Sequence, residues 1–194
     1  MIRFMIDTDD LSKLSGNVEL LATYSDLVPD ANELRKKFPD SEIILIDRGS
    51  GDPSGEASVF DIEDGCLTVE QALAKYDDAK KRGIQYLTVY HDRDIAAEVN
   101  SAFGDRKPYT WDATLDGTAF ITGYDPLHTP AVIQVLSSIE LDYHADGSIV
   151  QEDAWHPRKS VGVTSRMRTE CNQALAMVEA ADTHIRALRL LFDV

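Results

Sequence analysis

Over residues 1–157 the chain repeats one pattern: a short apolar run, rich in Ile, Val, Tyr and Thr, that stops at a carboxylate or a turn residue. Residues 2–6 (IRFMI) stop at Asp7, residues 18–24 (VELLATY) at Ser25-Asp26, and residues 43–46 (IILI) at Asp47 and the loop RGSGDPSGE. Residues 57–62 run into Glu63-Asp64-Gly65, and residues 84–90 (IQYLTVY, preceded by Gly83) into His91-Asp92. Residues 109–113, 119–122 and 131–136 complete the set. Runs this short and this β-branched read as strands, most of them buried. Helical stretches fall between several of them, at 32–38, 67–82 and 93–103. The second has Thr68 as a cap, basic residues in its last turn and Gly83 as its stop. Strand–helix alternation predicts an α/β fold with a largely parallel sheet. The eight runs predict a small, partly degenerate (β/α)8, TIM-like barrel, with an open doubly wound sheet as the alternative. Such barrels usually need about 200 residues or more, so some helices must give way to loops, for instance after the third, sixth and seventh strands.

The acidic residues fall in an informative place. Asp7, Asp26, Asp47, Asp61/Glu63 and Asp92 all lie at or just beyond the C-terminal end of an expected strand, the edge on which parallel α/β folds build their sites. Asp26, Asp47 and Asp92 read as turn formers and helix caps. Asp61-Ile62-Glu63 reads differently. Alternate side chains on a strand share a face, so the two carboxylates project together, about 6.6 Å apart along the strand. Carboxylates so placed repel, which raises one pKa and leaves the other group ionised. Cleavage of a glycosidic bond requires that division: one acid to protonate the leaving oxygen and one anion to stabilise the developing cation.

Taken in order, MIRFMIDT, ATYSD, FDIEDG followed by a Thr-led helix, YTWDATLDG and a Gln in AVIQ resemble the small glycoside-hydrolase-like TIM-barrel domains of actinobacteria and their bacteriophages. Those domains are distant relatives of glycoside hydrolase family 25 lysozymes, and the similarity spans residues 1–157. The resemblance implies Glu63 as the catalytic acid, Asp61 as its partner and Asp7 as the carboxylate closing the first strand. It implies a late aspartate near the eighth strand, either Asp146 or Asp142. It also implies Trp111 as a ring lining a sugar groove, a position the core could equally claim, with Tyr24 and Asp112 as further substrate-binding candidates. The chain departs from the pattern where Val135 follows Gln134, since relatives carry an aromatic there. Asp9, Asp10 and Asp64 add extra charge. These departures favour a glycan-binding or structural role, with an active muramidase-like hydrolase as the alternative.

Charge narrows the partners. Lys and Arg number 19 against 34 Asp and Glu, a net charge of −15, which repels phosphate backbones and anionic lipid; neither nucleic acid nor membrane insertion is expected. Cys66 and Cys171 read as free thiols, the five histidines lack ligand spacing, and no cofactor or metal site stands out. A metal-assisted hydrolase using Mg²⁺ or Ca²⁺ on the acidic edge remains a third reading. The N-terminus does not read as a signal peptide, so synthesis in the cytoplasm is expected.

Residues 158–194 form a second unit, a linker and a helix. No Gly or Pro occurs in 166–194, and Met167, Cys171, Ala174, Val178, Ala181, Ile185, Leu188 and Phe192 alternate spacings of 4 and 3. That seven-residue period favours self-association in a coiled coil, the alternative being a helix packed on its own barrel. An acidic barrel joined to a multimerising helix resembles a virion module. The expected setting is thus a phage minor tail or tail-tip protein, homo-oligomeric, bound to other virion subunits through the helix and acting extracellularly on bacterial cell-wall glycan. If the stripe is a subunit seam, replacing Ile185 and Leu188 together with Asp removes about 1.5–3 kcal/mol of apolar burial at each and should dissolve the assembly. Light scattering should then report monomers; a wild-type chain already monomeric at high concentration would refute the seam.

Overall fold

A computed structural model describes residues 2–14, 18–114, 131–136 and 145–151. Eight strands close into one barrel in sequence order: β1 (Ile2–Thr8), β2 (Leu20–Tyr24), β3 (Glu42–Asp47), β4 (Val59–Asp61), β5 (Thr88–His91), β6 (Tyr109–Asp112), β7 (Val132–Leu136) and β8 (Ala145–Gln151). Neighbours from β1 to β7 pair in parallel. β8 runs antiparallel to both β7 and β1. Among the described residues there are three α-helices, all short: α1 (Ala31–Lys37), α2 (Val69–Lys81) and α3 (Ala96–Phe103).

This architecture corrects the expected fold class. The chain is a closed, mixed, eight-stranded β-barrel, not an α/β, (β/α)8 TIM-like barrel. Two features decide it. An antiparallel β8 cannot be the end of a strand–helix–strand crossover, and α1, α2 and α3 cover only the stretch from β2 to β6. The link between β3 and β4 shows why no helix forms there. Asp52 accepts from Ser54 Oγ and from the backbone N–H groups of Gly55 and Ala57, stitching RGSGDPSGE into a loop. ADGSIVQ, polar and with a glycine, is not among the eight apolar runs, and it forms β8 by pairing with β1 and β7. The run 119–122, the links after β6 and β7, and the long C-terminal helix with its linker lie outside the described residues.

The remaining runs form strands for the reason their composition suggests. The fifth starts late, at Thr88, because Tyr86 takes a positive φ of 56° that extended backbone excludes. α2 opens on a reciprocal cap. Thr68 accepts from the Gln71 N–H while the Gln71 side chain accepts from the Thr68 N–H, satisfying two donors that a helix start leaves unpaired.

Every strand contributes to the barrel interior: Met5, Leu20, Ala22, Ile44, Ile46, Val59, Tyr90, Trp111, Val132 and Val150 form one buried cluster. Outside, α1 packs Ala31 and Leu34 on Leu21 of β2 and Leu45 of β3. α2 and α3 pack Ala72, Tyr76, Ala79, Val99 and Phe103 on Phe60 of β4 and Val89 of β5.

At the end where β1 begins, Arg3 lies two residues before Met5 and shares its inward face. It is 4% exposed and donates to Glu19 at 2.6 Å and Glu42 at 3.3 Å. Removing one partner from a buried ion group strands the others, at a cost of about 3–5 kcal/mol. Arg3→Met should therefore destabilise the barrel by about that amount in urea denaturation. Adding Glu19→Leu and Glu42→Leu should recover most of the loss, and a single variant as stable as wild type would deny the cluster any structural role.

Candidate active site

The opposite end of the barrel, where the parallel strands finish, collects the acids. Asp7 is the penultimate residue of β1 and Asp61 the last of β4, with Glu63 two residues on. Ile62 between them packs into the outer cluster against the helices, so the alternation of a strand carries through to Glu63. Asp146 reaches the same end because β8 runs backwards: its second residue sits where other strands have their last. In the β1–β8 register Asp146 stands directly opposite Asp7. Opposed antiparallel residues hold their Cβ atoms about 4.5–5.5 Å apart on one face. Asp7, Asp61, Glu63 and Asp146 thus share one electrostatic neighbourhood.

Burial sets their ionisation. Asp7 is pushed up to about 8, first by desolvation and then by the charge of Asp146, with Glu63 and Asp61 adding to it; the Asp146 N–H it accepts offsets only part. Glu63, half-buried, is pushed up to about 7 by desolvation and the charges of Asp61, Asp92 and Asp146. Asp61 is also raised by burial, although three things pull it down: the Glu63 N–H on Oδ1 at 2.9 Å, the Cys66 thiol on Oδ2 at 3.4 Å, and the Arg48 charge. Asp61 is fully buried. It therefore orients Glu63 through that N–H and cannot itself touch a ligand. The accessible carboxylates of the group are Glu63, Asp146 and the exposed Asp92. Glu63 and Asp7 hold a proton near neutrality, so the mouth combines a protonated acid with negative charge beside it.

The other candidates separate into three fates. Trp111 is fully buried, meets Tyr90 edge-to-face at 4.9 Å and belongs to the barrel core, so its ring is closed to a sugar. Asp112 is buried and structural: it accepts from Arg93 Nε and Nη2 at 3.0 and 2.7 Å and from the Thr114 N–H, tying the ends of β5 and β6 together. Tyr24 stands at the mouth with one ring face under the Arg48 guanidinium at 4.3 Å, and its hydroxyl is raised by desolvation and by Asp61 and Asp7. Asp142 lies outside the described residues, as does Cys171. Of the acids read as turn formers, Asp47 accepts from Lys75 at 2.6 Å and from the Gly49 N–H, and Asp26 pairs with Arg48. Asp92 differs, since its charge bears on Glu63.

Four further residues belong to the site. Arg48 supplies its positive charge. Cys66, a free thiol raised to about 12 by burial and by Asp61, stays protonated and serves as a donor. Tyr90 donates to Gln134 Oε1 at 2.7 Å across the barrel, joining β5 to β7. Strand alternation in the sequence places Tyr90 inside, but the partnership with Gln134 depends on barrel closure. Among the described residues no group of three or more His, Cys, Asp or Glu side chains is arranged to hold a metal ion, and no helix is long and apolar enough to cross a membrane.

An acid whose folded pKa exceeds its unfolded value takes up a proton on folding in the interval between the two. Stability is then complete below the unfolded value and declines as pH rises towards the folded one. For Asp7 that interval runs from 3.8 to about 8, and for Glu63 from 4.5 to about 7. The urea midpoint should fall between pH 5 and pH 8, and Asp7→Asn should flatten the decline. A midpoint that rises over the same range would refute the protonated cluster.

No family model matches the chain, and no curated protein or solved structure matches it either.

Proposed function

We propose that the barrel mouth acts on bacterial cell-wall glycan as a muramidase-like glycoside hydrolase, with Glu63 as the general acid. The observation that carries this reading is the placement of Glu63: a half-exposed side chain at the strand ends, its backbone N–H fixed by buried Asp61 at 2.9 Å, among carboxylates that together with burial push it up to about 7. Such an acid keeps its proton in about half of the molecules at pH 7, where a free glutamate has lost it. In the proposed step Glu63 gives its proton to the glycosidic oxygen as the C1–O bond breaks. The negative charge of Asp146, the other half-exposed carboxylate, stabilises the oxocarbenium-like centre; water then adds to C1 and gives its proton to Glu63, which restores the acid. Asp61 acts as a positioning residue for Glu63, and Asp7 keeps a proton beneath them.

A second reading is favoured by one specific feature. Among the described residues, Trp111 is in the core and Asp61 is buried, so neither the expected aromatic nor the first carboxylate of the Asp-x-Glu pair is open to a sugar. A glycan-binding or structural barrel on a bacteriophage tail or tail tip fits that feature, with the C-terminal segment 158–194 joining virion subunits.

Zymography on purified cell wall separates the two. Glu63→Gln should cut the release of reducing ends by about 10²–10⁴-fold, the usual contribution of a general acid, while cosedimentation with the wall persists. Wild type that sediments with cell wall but releases no reducing ends would leave the binding reading and discard the catalytic one.

A further inference from the structure

The mouth of this site is negative and the chain carries a net charge of −15. Among the described residues, Arg48 is the cation whose charge bears on Asp61. Arg48 follows β3 and is 31% exposed along its side chain. Its charge lowers the protonation of buried Asp61 and of Cys66. Two contacts hold the guanidinium in place. Nη2 donates to Asp26 Oδ2 at 2.8 Å, and the guanidinium carbon lies 4.3 Å from the centre of the Tyr24 ring. The loop beneath it is pinned as well. Asp47 Oδ1 accepts the Gly49 N–H at 2.9 Å, and Ser25 Oγ donates to the Gly51 carbonyl at 2.8 Å. Gly49 and Gly51 take φ values of 101° and 119°, which side chains larger than hydrogen rarely adopt.

This leaves a fixed fork with donors to spare. Nε and Nη1 of Arg48 make no hydrogen bond to the described residues. Each parallel pair of N–H groups that matches the two oxygens of a carboxylate includes Nη2; Asp26 takes one of its two hydrogens, so the second still completes one such pair, with Nε or with Nη1. Because the Arg48 rotamer is already fixed, less side-chain entropy is lost when a ligand binds. Stacking on Tyr24 also covers one face of the only described aromatic ring among the substrate-binding candidates that reaches the mouth, so recognition there falls to Arg48 rather than to a sugar–ring stack.

We propose that Arg48, seated on Tyr24 and held by Asp26, is the specificity-determining residue of the mouth, and that it selects glycans carrying a carboxylate substituent over neutral ones. The proposal rests on the glycan-directed reading above and names the class of glycan. Beside the carboxylates of Asp61, Glu63, Asp92 and Asp146, this guanidinium offers an acidic sugar an attractive contact. Arg48 thereby sets the orientation of the sugar as well as its class. Asp26 competes with the ligand for the same charge, which tunes the selection.

The test is calorimetric titration at low ionic strength with two probes of equal length. One is the neutral tetramer of N-acetylglucosamine, and the other a hyaluronan tetrasaccharide, in which glucuronate alternates with N-acetylglucosamine. Wild type should bind the acidic probe at least about tenfold more tightly, and the preference should shrink as salt is raised. Arg48→Gln should abolish the preference, so that the ratio of the two affinities falls to about one. Arg48→Lys should restore part of it, since an ammonium keeps the charge but not the fork. Asp26→Asn, which frees the guanidinium from its competitor, should tighten the acidic probe only, a change that a merely structural Arg48–Asp26 pair would not produce. Equal binding of both probes by wild type, or a preference that survives Arg48→Gln, would overturn the proposal while the glycan reading stands. If neither tetrasaccharide binds, the glycan reading falls and the proposal with it.

Discussion

The structure turns on the cost of putting carboxylates inside a closed barrel. Eight strands enclose an interior wide enough for side chains and little else, so each inward position must be filled by a group that tolerates the loss of water. Met5, Val59, Val132 and Val150 do so without penalty. Asp7 does not, and it responds by holding its proton. The other features of the mouth answer the same problem. Asp61 is offered a backbone N–H and a thiol, Tyr90 finds Gln134, and Arg48 brings a positive charge. Glu63 benefits from the arrangement: close enough to share the field, exposed enough to meet a ligand.

The two ends of the barrel meet that cost in opposite ways. At the end where β1 begins, Arg3 is buried between Glu19 and Glu42 and donates to both. At the mouth the nearest cation is already engaged with Asp26, and the surplus negative charge is reduced by protonation. An end whose charge is balanced by exchangeable protons is chemically responsive, which is why the mouth and not the base is the candidate site.

Much of this was written locally in the sequence. The strand-forming runs from β1 to β6 stand out because β-branched and aromatic residues stop abruptly at acids, and Thr68 with Gln71 marks the start of α2 without tertiary help. The shared side of Asp61 and Glu63 follows from strand alternation alone. What could not be read depends on closure. ADGSIVQ has neither an apolar run nor a clean alternation, and it becomes a strand only because β1 and β7 both offer it an edge. Its direction, which decides that the barrel is mixed, is a property of those two edges. Trp111 fits a sugar groove as well as a core by composition; the barrel wall settles the matter by burying it. Gln134 and Tyr90 are 44 residues apart, and Arg48 sits in a Gly-rich loop where nothing local marks it as a neighbour of Asp61.

The reversed β8 has a kinetic consequence. Strands β2 to β6 can assemble by adding neighbours, but β1 pairs with a strand that the ribosome produces well over a hundred residues later. Contacts so distant in sequence carry the largest loop-closure cost and tend to form late. Asp7 and Asp146 meet only in that step. Until the seam closes, both carboxylates stay hydrated and ionised, and the acid cluster does not yet exist. Pairing of β1 with β8 is thus also the event that brings Asp7 and Asp146 to the acids that β4 already carries.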